Sequence, residues 1–124
     1  MLYLNNALSS TMLMDGEYKI RSLQDEEVVL YLNDAISRSE FVHAGNPSHK
    51  PTWDAVAKRL QIPAIAEPKG GKIALKAGDR LLVAEVSGLP RETREFTEAE
   101  IKAATIRFRL MEPRIEAPLR YRVE

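Results

Sequence analysis

The chain has 124 residues, 44% of them apolar and 29% charged, and its eighteen basic residues are balanced by eighteen acidic ones. That is the length and composition of one globular domain with a full core, and zero net charge argues against a molecule-wide field for gripping duplex DNA. There is no run of the roughly 18 apolar residues a membrane span needs, no signal-peptide pattern in the opening MLYLNNALSSTMLMDG and no cysteine, so the expectation is a cytoplasmic protein without disulfides.

The first element, LYLNNAL, ends in polar Ser9 and Ser10 and reads as a mostly buried strand interrupted by Asn5 and Asn6. After the Asp15–Gly16 turn signal, EYKIRSL alternates Tyr18 and Ile20 with Lys19 and Arg21, the period of a half-buried strand. Ser22 offers an N-cap with Asp25 three residues on. Val28, Val29, Leu32, Ala35 and Ile36 then recur at helical spacing, which predicts a helix over about 23–36. EFVHA is a candidate short strand. Beyond the GNPSH turn, Trp53, Val56, Ala57 and Leu60 fall at i, i+3, i+4, i+7, the stripe of a second helix over about 49–60.

IPAIAEPKGG, with two prolines and two glycines, reads as a connection, and KIALKAGDRLLVAEV reads as two strands joined at Ala77–Gly78–Asp79. GLPRETREF is a polar loop. Thr97 and Glu100 form a capping box for a short helix to about Ala104. TIRFRLM then alternates Ile106, Phe108 and Leu110 inward with Arg107 and Arg109 outward. The expected fold is a single α+β domain over residues 1–111, a mixed β-sheet with about three helices packed on it. The remaining residues, 112–124, form a tail: an extra strand or an arm onto a partner, with prolines that argue against a central strand.

Two histidines, His43 and His49, and no thiols cannot build an imidazole–thiolate metal site, and the carboxylates show no metal-binding spacing. The sequence also lacks a Walker loop, a GxGxxG and a GxSxG elbow, so neither a metal nor a cofactor is expected. Lys69-Gly70-Gly71-Lys72 is either a phosphate cradle or a plain turn, and the turn is the stronger reading.

His49 is the more informative residue. With Ser48 as N-cap, His49 and Lys50 occupy a first helical turn with Pro51 in third position. Free amides, the helix dipole and the Lys50 charge would then form an anion site, where a histidine can hand a proton to a leaving oxygen. The plain alternative is a solvated histidine, which composition alone favours. His43, in a strand, reads as structural. Arg91, Arg94, Arg107 and Arg109 could each clamp a phosphate or simply be solvated. Trp53 could stack a base, but its place on the apolar stripe favours the core.

The order of these segments resembles the small viral family of type III anti-CRISPR ring nucleases. YLNNALS resembles that family's N-terminal strand, SHKPTWDAVAKRL its histidine-bearing helix, and KIALKAGDRLLVAEVSGLPRETREFTEAEI its hairpin, acidic loop and following helix. The resemblance implies a homodimer that binds a cyclic oligoadenylate across the subunit interface and cuts it without metal. It implies His49 as general acid, Glu92 as the loop carboxylate near it, and Asn6 and Ser9 as ligand contacts. Lys50 and Arg91 are candidate ligand-binding cations, Arg91 standing in for a family arginine that falls here at Gly88 or Leu89. The lead-in HAGNPSH is longer than the family's.

Three functions follow in order. The first is a ring nuclease that switches off nucleotide-signalled antiviral defence, in the host cytoplasm if the chain is viral. The second is a non-catalytic binding protein that sequesters a cyclic or ADP-ribose-type nucleotide. The third is a DNA-binding or structural viral protein using the Arg107, Arg109 face.

Overall fold

The computed structural model describes residues 1–6, 17–89 and 95–113. Among the described residues, five strands and three α-helices follow in the order β1 (Leu2–Asn5), β2 (Tyr18–Leu23), α1 (Asp25–Ser37), β3 (Phe41–His43), α2 (Lys50–Leu60), β4 (Arg80–Ser87), α3 (Glu98–Ala103) and β5 (Thr105–Pro113). Short 3-10 turns at Pro47–His49 and Pro63–Ile65 flank α2. The strands form one mixed sheet in the order β2-β5-β4-β1-β3. β1 runs parallel to both β3 and β4, while β5 is antiparallel to β4 and to β2. The α+β expectation therefore holds.

Alternation along the strands assigns the two faces. Leu2, Leu4, Leu82, Ala84, Ile106, Phe108 and Leu110 point to one side, against Val28, Leu32 and Ala35 of α1 and Trp53, Val56, Ala57 and Leu60 of α2. These helical residues lie on the stripes read from the sequence. Trp53 is fully buried, which settles it as core. Arg107 and Arg109 are exposed, and Arg109 is paired with Glu85 at 2.8 Å.

Two local expectations change and one holds. Ser22 does not cap α1. It remains in β2 opposite Arg109, and Gln24 takes the cap, its N–H bonded to Glu27 at 3.2 Å. The capping box at Thr97 and Glu100 is present, with both reciprocal bonds. The first half of the expected hairpin, 72–76, is not a strand. Ile73 and Leu75 are indeed buried alternately, at 4% and 1% exposure, but they cover the second sheet face beside Leu81, Val83 and Met111 instead of pairing with a neighbour. Period-two burial arises wherever an extended segment lies on an apolar surface, so it cannot by itself distinguish a strand from a covering segment.

β5 continues past residue 111 to Pro113, which sits at its last position opposite Tyr18. Among the described residues no helix is long and apolar enough to cross a membrane.

Candidate functional site

Because β1, β3 and β4 are parallel, their carboxyl ends share one edge of the sheet, the edge at which open sheets with parallel strands place ligands. Asn5 ends β1 there, His43 ends β3, and Ser87 ends β4 just before the segment that holds Arg91 and Glu92. Those two residues, with Ser9, lie outside the described residues.

At this edge two residues meet. The Asn6 side-chain nitrogen, Nδ2, lies 3.2 Å from Nδ1 of exposed His49. Each is held from behind. The Asn6 backbone N–H donates to Oδ1 of Asn5 at 2.8 Å, and Asn5 is itself 8% exposed. His49 closes the 3-10 turn, its N–H donating to the Asn46 carbonyl at 2.9 Å. An amide nitrogen is only a donor, so in this orientation of the Asn6 amide His49 Nδ1 is the acceptor. A half-turn of the Asn6 amide would present Oδ1 to an Nδ1–H, so the same partner serves the imidazolium.

The helix start differs from its expected form. Ser48 caps nothing here: Asn46 caps the 3-10 turn that leads into α2, its Oδ1 accepting the Ser48 N–H at 2.9 Å. His49 is the residue before α2, and Pro51 is the second residue of the helix rather than third in a turn capped by Ser48. The Ser48, His49 and Lys50 amides are bonded to Asn46 Oδ1, Asn46 O and Pro47 O respectively. The free amide cradle expected there is therefore already occupied by the chain. The sequence signal for this was Asn46-Pro47-Ser48, the spacing of an Asn side chain that bonds two residues on.

Lys50 is engaged as well. Its ammonium lies 3.0 Å from both Glu67 and Asp54 and donates to the Ala66 carbonyl at 3.4 Å. These partners, Glu67 first and then Asp54, raise its pKa above the ordinary lysine value. The Lys69-Gly70 segment also uses its amides within the fold: Lys69 N–H donates to His43 O at 3.1 Å and Gly70 N–H to Gly45 O at 2.8 Å. Those two amides close the β3 edge and are not free to cradle a phosphate.

Beneath the 3-10 turn lies a packed cluster. His43, 4% exposed, accepts the Gly45 N–H on Nδ1 at 3.1 Å, and its Nε2 lies 2.9 Å from the Ile65 carbonyl. Its ring meets Trp53 edge-on, with centroids 4.3 Å apart and planes at 81°. Burial lowers its pKa, partly offset by the Ile65 bond, and the nearby Lys69 charge lowers it further. Among the described residues, Trp53 Nε1 is the buried side-chain polar atom without a hydrogen-bond partner. Gly45 packs so closely that a Cβ there would lie 2.4 Å from that nitrogen. The reading of His43 as structural stands. Its link to the His49 loop was not visible in sequence. A separate cleft of about 1000 Å³ runs between α2 and α3, lined by Ala57, Lys58, Pro63, Ala66 and Ile101 among others, and includes neither Asn6 nor His49.

Comparison with known proteins gives the fold a relative. No protein-family model matches the chain, and no curated protein matches it. Among solved structures, an α+β domain of the same architecture does match. It is B116 of Sulfolobus turreted icosahedral virus, with a TM-score of 0.72 over 90% of this chain and 97% of that one. At 20% identity the likeness is one of fold, carried by a viral protein.

Proposed function

We propose that the chain is a metal-independent ring nuclease for a cyclic oligoadenylate, and the observation that supports this best is the Asn6–His49 pairing at the sheet's carboxyl edge. A ribose 2′-hydroxyl attacks the adjacent phosphorus in line, and the bond to the 5′ oxygen breaks. His49 delivers the proton that oxygen needs, and the proton of the 2′-hydroxyl passes to solvent. The product ends in a 2′,3′-cyclic phosphate. Orientation and a placed proton donor account for most of the rate in such a step. Asn6 sets the ring orientation and tautomer of His49. In this reading Glu92 is the catalytic loop carboxylate that works with His49, Ser9 and Arg91 complete the ligand contacts, and the ligand lies on the two-fold axis of a homodimer, so every site residue acts twice. Such an activity would counteract a nucleotide-signalled defence in the host cytoplasm.

Incubation with cyclic oligoadenylates in EDTA tests this. Linear products are expected, and His49→Ala should abolish them. Absence of cleavage with protein in excess would overturn the proposal.

A specific observation favours a second reading, a binding protein that sequesters a cyclic or ADP-ribose-type nucleotide. Among the described residues, the Lys50 ammonium is already engaged by Glu67 and Asp54, and the Ser48, His49 and Lys50 amides by the chain itself, which takes these donors away from a pentacoordinate phosphorus. Tight binding with recovery of intact nucleotide would select this reading over cleavage.

A further inference from the structure

We propose that His43 is a positioning residue for His49: a buried, acid-sensitive latch that holds the loop of residues 44–49 in the geometry that brings His49 to Asn6. Its kinetic consequence rests on the proposed nuclease reading, but the latch itself does not.

One protonation state satisfies every contact of the ring. Nδ1 must be bare to accept the Gly45 N–H at 3.1 Å, and Nε2 must carry the proton to donate to Ile65 O at 2.9 Å. A second proton would land on Nδ1 and set two donors against each other at Gly45. Gly45 has no room to yield towards the core. A Cβ at that position would lie 2.4 Å from Trp53 Nε1 and 2.7 Å from His43 Cε1, so the backbone already rests on both rings. Relief must come from an outward shift of the loop.

The loop's remaining contacts transmit that shift. Gly45 O accepts from Gly70, Asn46 caps the 3-10 turn through Ser48, and Asn46 O holds the His49 N–H. Around the ring, β3 contributes Phe41 at 6.3 Å between centroids, α2 contributes Trp53, and Ile65 contributes its carbonyl. Among the described residues, Lys69 is a charge that bears on the ring: its backbone N–H also donates to His43 O, and its ammonium disfavours a second positive charge there.

Nuclear magnetic resonance on the full chain without nucleotide, from pH 8 to pH 5, tests the latch. At pH 8 His43 should show the Nε2–H tautomer. As it takes up its proton, the Gly45, Asn46 and His49 amides and the Asn6 side-chain amide should shift with the His43 midpoint, while α1 amides stay in place. In His43→Asn the side-chain Oδ1 replaces Nδ1 as acceptor and cannot be protonated, so that step should vanish. Loop amides that ignore the His43 titration, or that shift only when α1 unfolds with them, overturn the latch in the unaltered chain, whatever the variant does. The same step persisting in a folded His43→Asn overturns it too. Where cleavage is observed, kcat of the unaltered chain should fall by up to about tenfold per pH unit below the His43 midpoint. His43→Asn should lack that limb with KM unchanged. Failure of cleavage alone touches the nuclease reading and leaves the latch result intact.

Discussion

Asn6 and His49 stand 43 positions apart in the chain, and their side chains meet at 3.2 Å because β1 and β3 are parallel neighbours that end at one sheet edge. If that contact orients the imidazole, Asn6→Ala should leave the fold intact and lower kcat/KM for a cyclic oligoadenylate about three- to tenfold, the value of one hydrogen bond. Initial-rate measurements on the variant decide it. An unchanged rate would mean that His49 needs no help from Asn6.

Gly45→Ala should be among the more damaging single-methyl additions in the molecule. The new carbon would lie 2.4 Å from Trp53 Nε1 and 2.7 Å from its Cε2, and a fully buried indole cannot retreat. Overpacking of this kind costs about 1–3 kcal/mol. The loss is read as a lower denaturant midpoint at constant slope.

Stability should depend on pH through His43. Its pKa is lowered in the folded chain while the unfolded chain keeps about 6.5, so between those values the unfolded state binds more protons. The His43 contribution is therefore complete above about pH 6.5 and is lost as pH falls towards the folded value. The slope is at most about 1.4 kcal/mol per pH unit for one proton. Denaturant unfolding at pH 7.5, 6.5 and 5.5 should show it, and His43→Asn should lack this histidine's share of the slope.

Glu67→Gln should make Lys50 a better anion ligand. The Glu67 carboxylate lies 3.0 Å from the ammonium and half of the carboxylate pair is removed. Because the group is exposed, nucleotide affinity should rise only about two- to fivefold at low salt and the gain should shrink near physiological salt. Titration of labelled nucleotide at two salt concentrations measures both. A gain that does not shrink with salt would argue for a cause other than charge.

Leu75→Ala should destabilise by about 2–4 kcal/mol, because Leu75 is 1% exposed and covers the second sheet face. Leu30→Ala, at a position 71% exposed on α1, should stay within about 0.5 kcal/mol. Parallel thermal scans of the pair distinguish a covering segment from a loose loop.

Both helical stripes were legible because burial on a helix repeats at 3–4 residues, and Val28, Leu32, Trp53, Val56 and Leu60 declare it without reference to distant partners. The Thr97 cap was legible for the same local reason. The cap at Asn46 was harder to read. Asn46, Ser48 and His49 lie within four residues, each able to end or begin a turn, and the choice depends on where Gly45 is anchored. The mistaken strand at 72–76 has a comparable origin: Ile73 and Leu75 alternate correctly, but pairing needs a neighbour that the sequence does not name.

By itself, then, the sequence determined the class of fold, the helical faces, the core tryptophan and His49 at the start of a helix, since all of these follow from local period and residue chemistry. Tertiary structure decided which residues meet. The parallel pairing of β1 with β3 set Asn6 against His49, and the lie of Gly45 on Trp53 gave His43 its hold on the loop. Such contacts depend on strand order and on backbone approach within a few tenths of an ångström. Neither leaves a period in the chain, and so neither could be read from it.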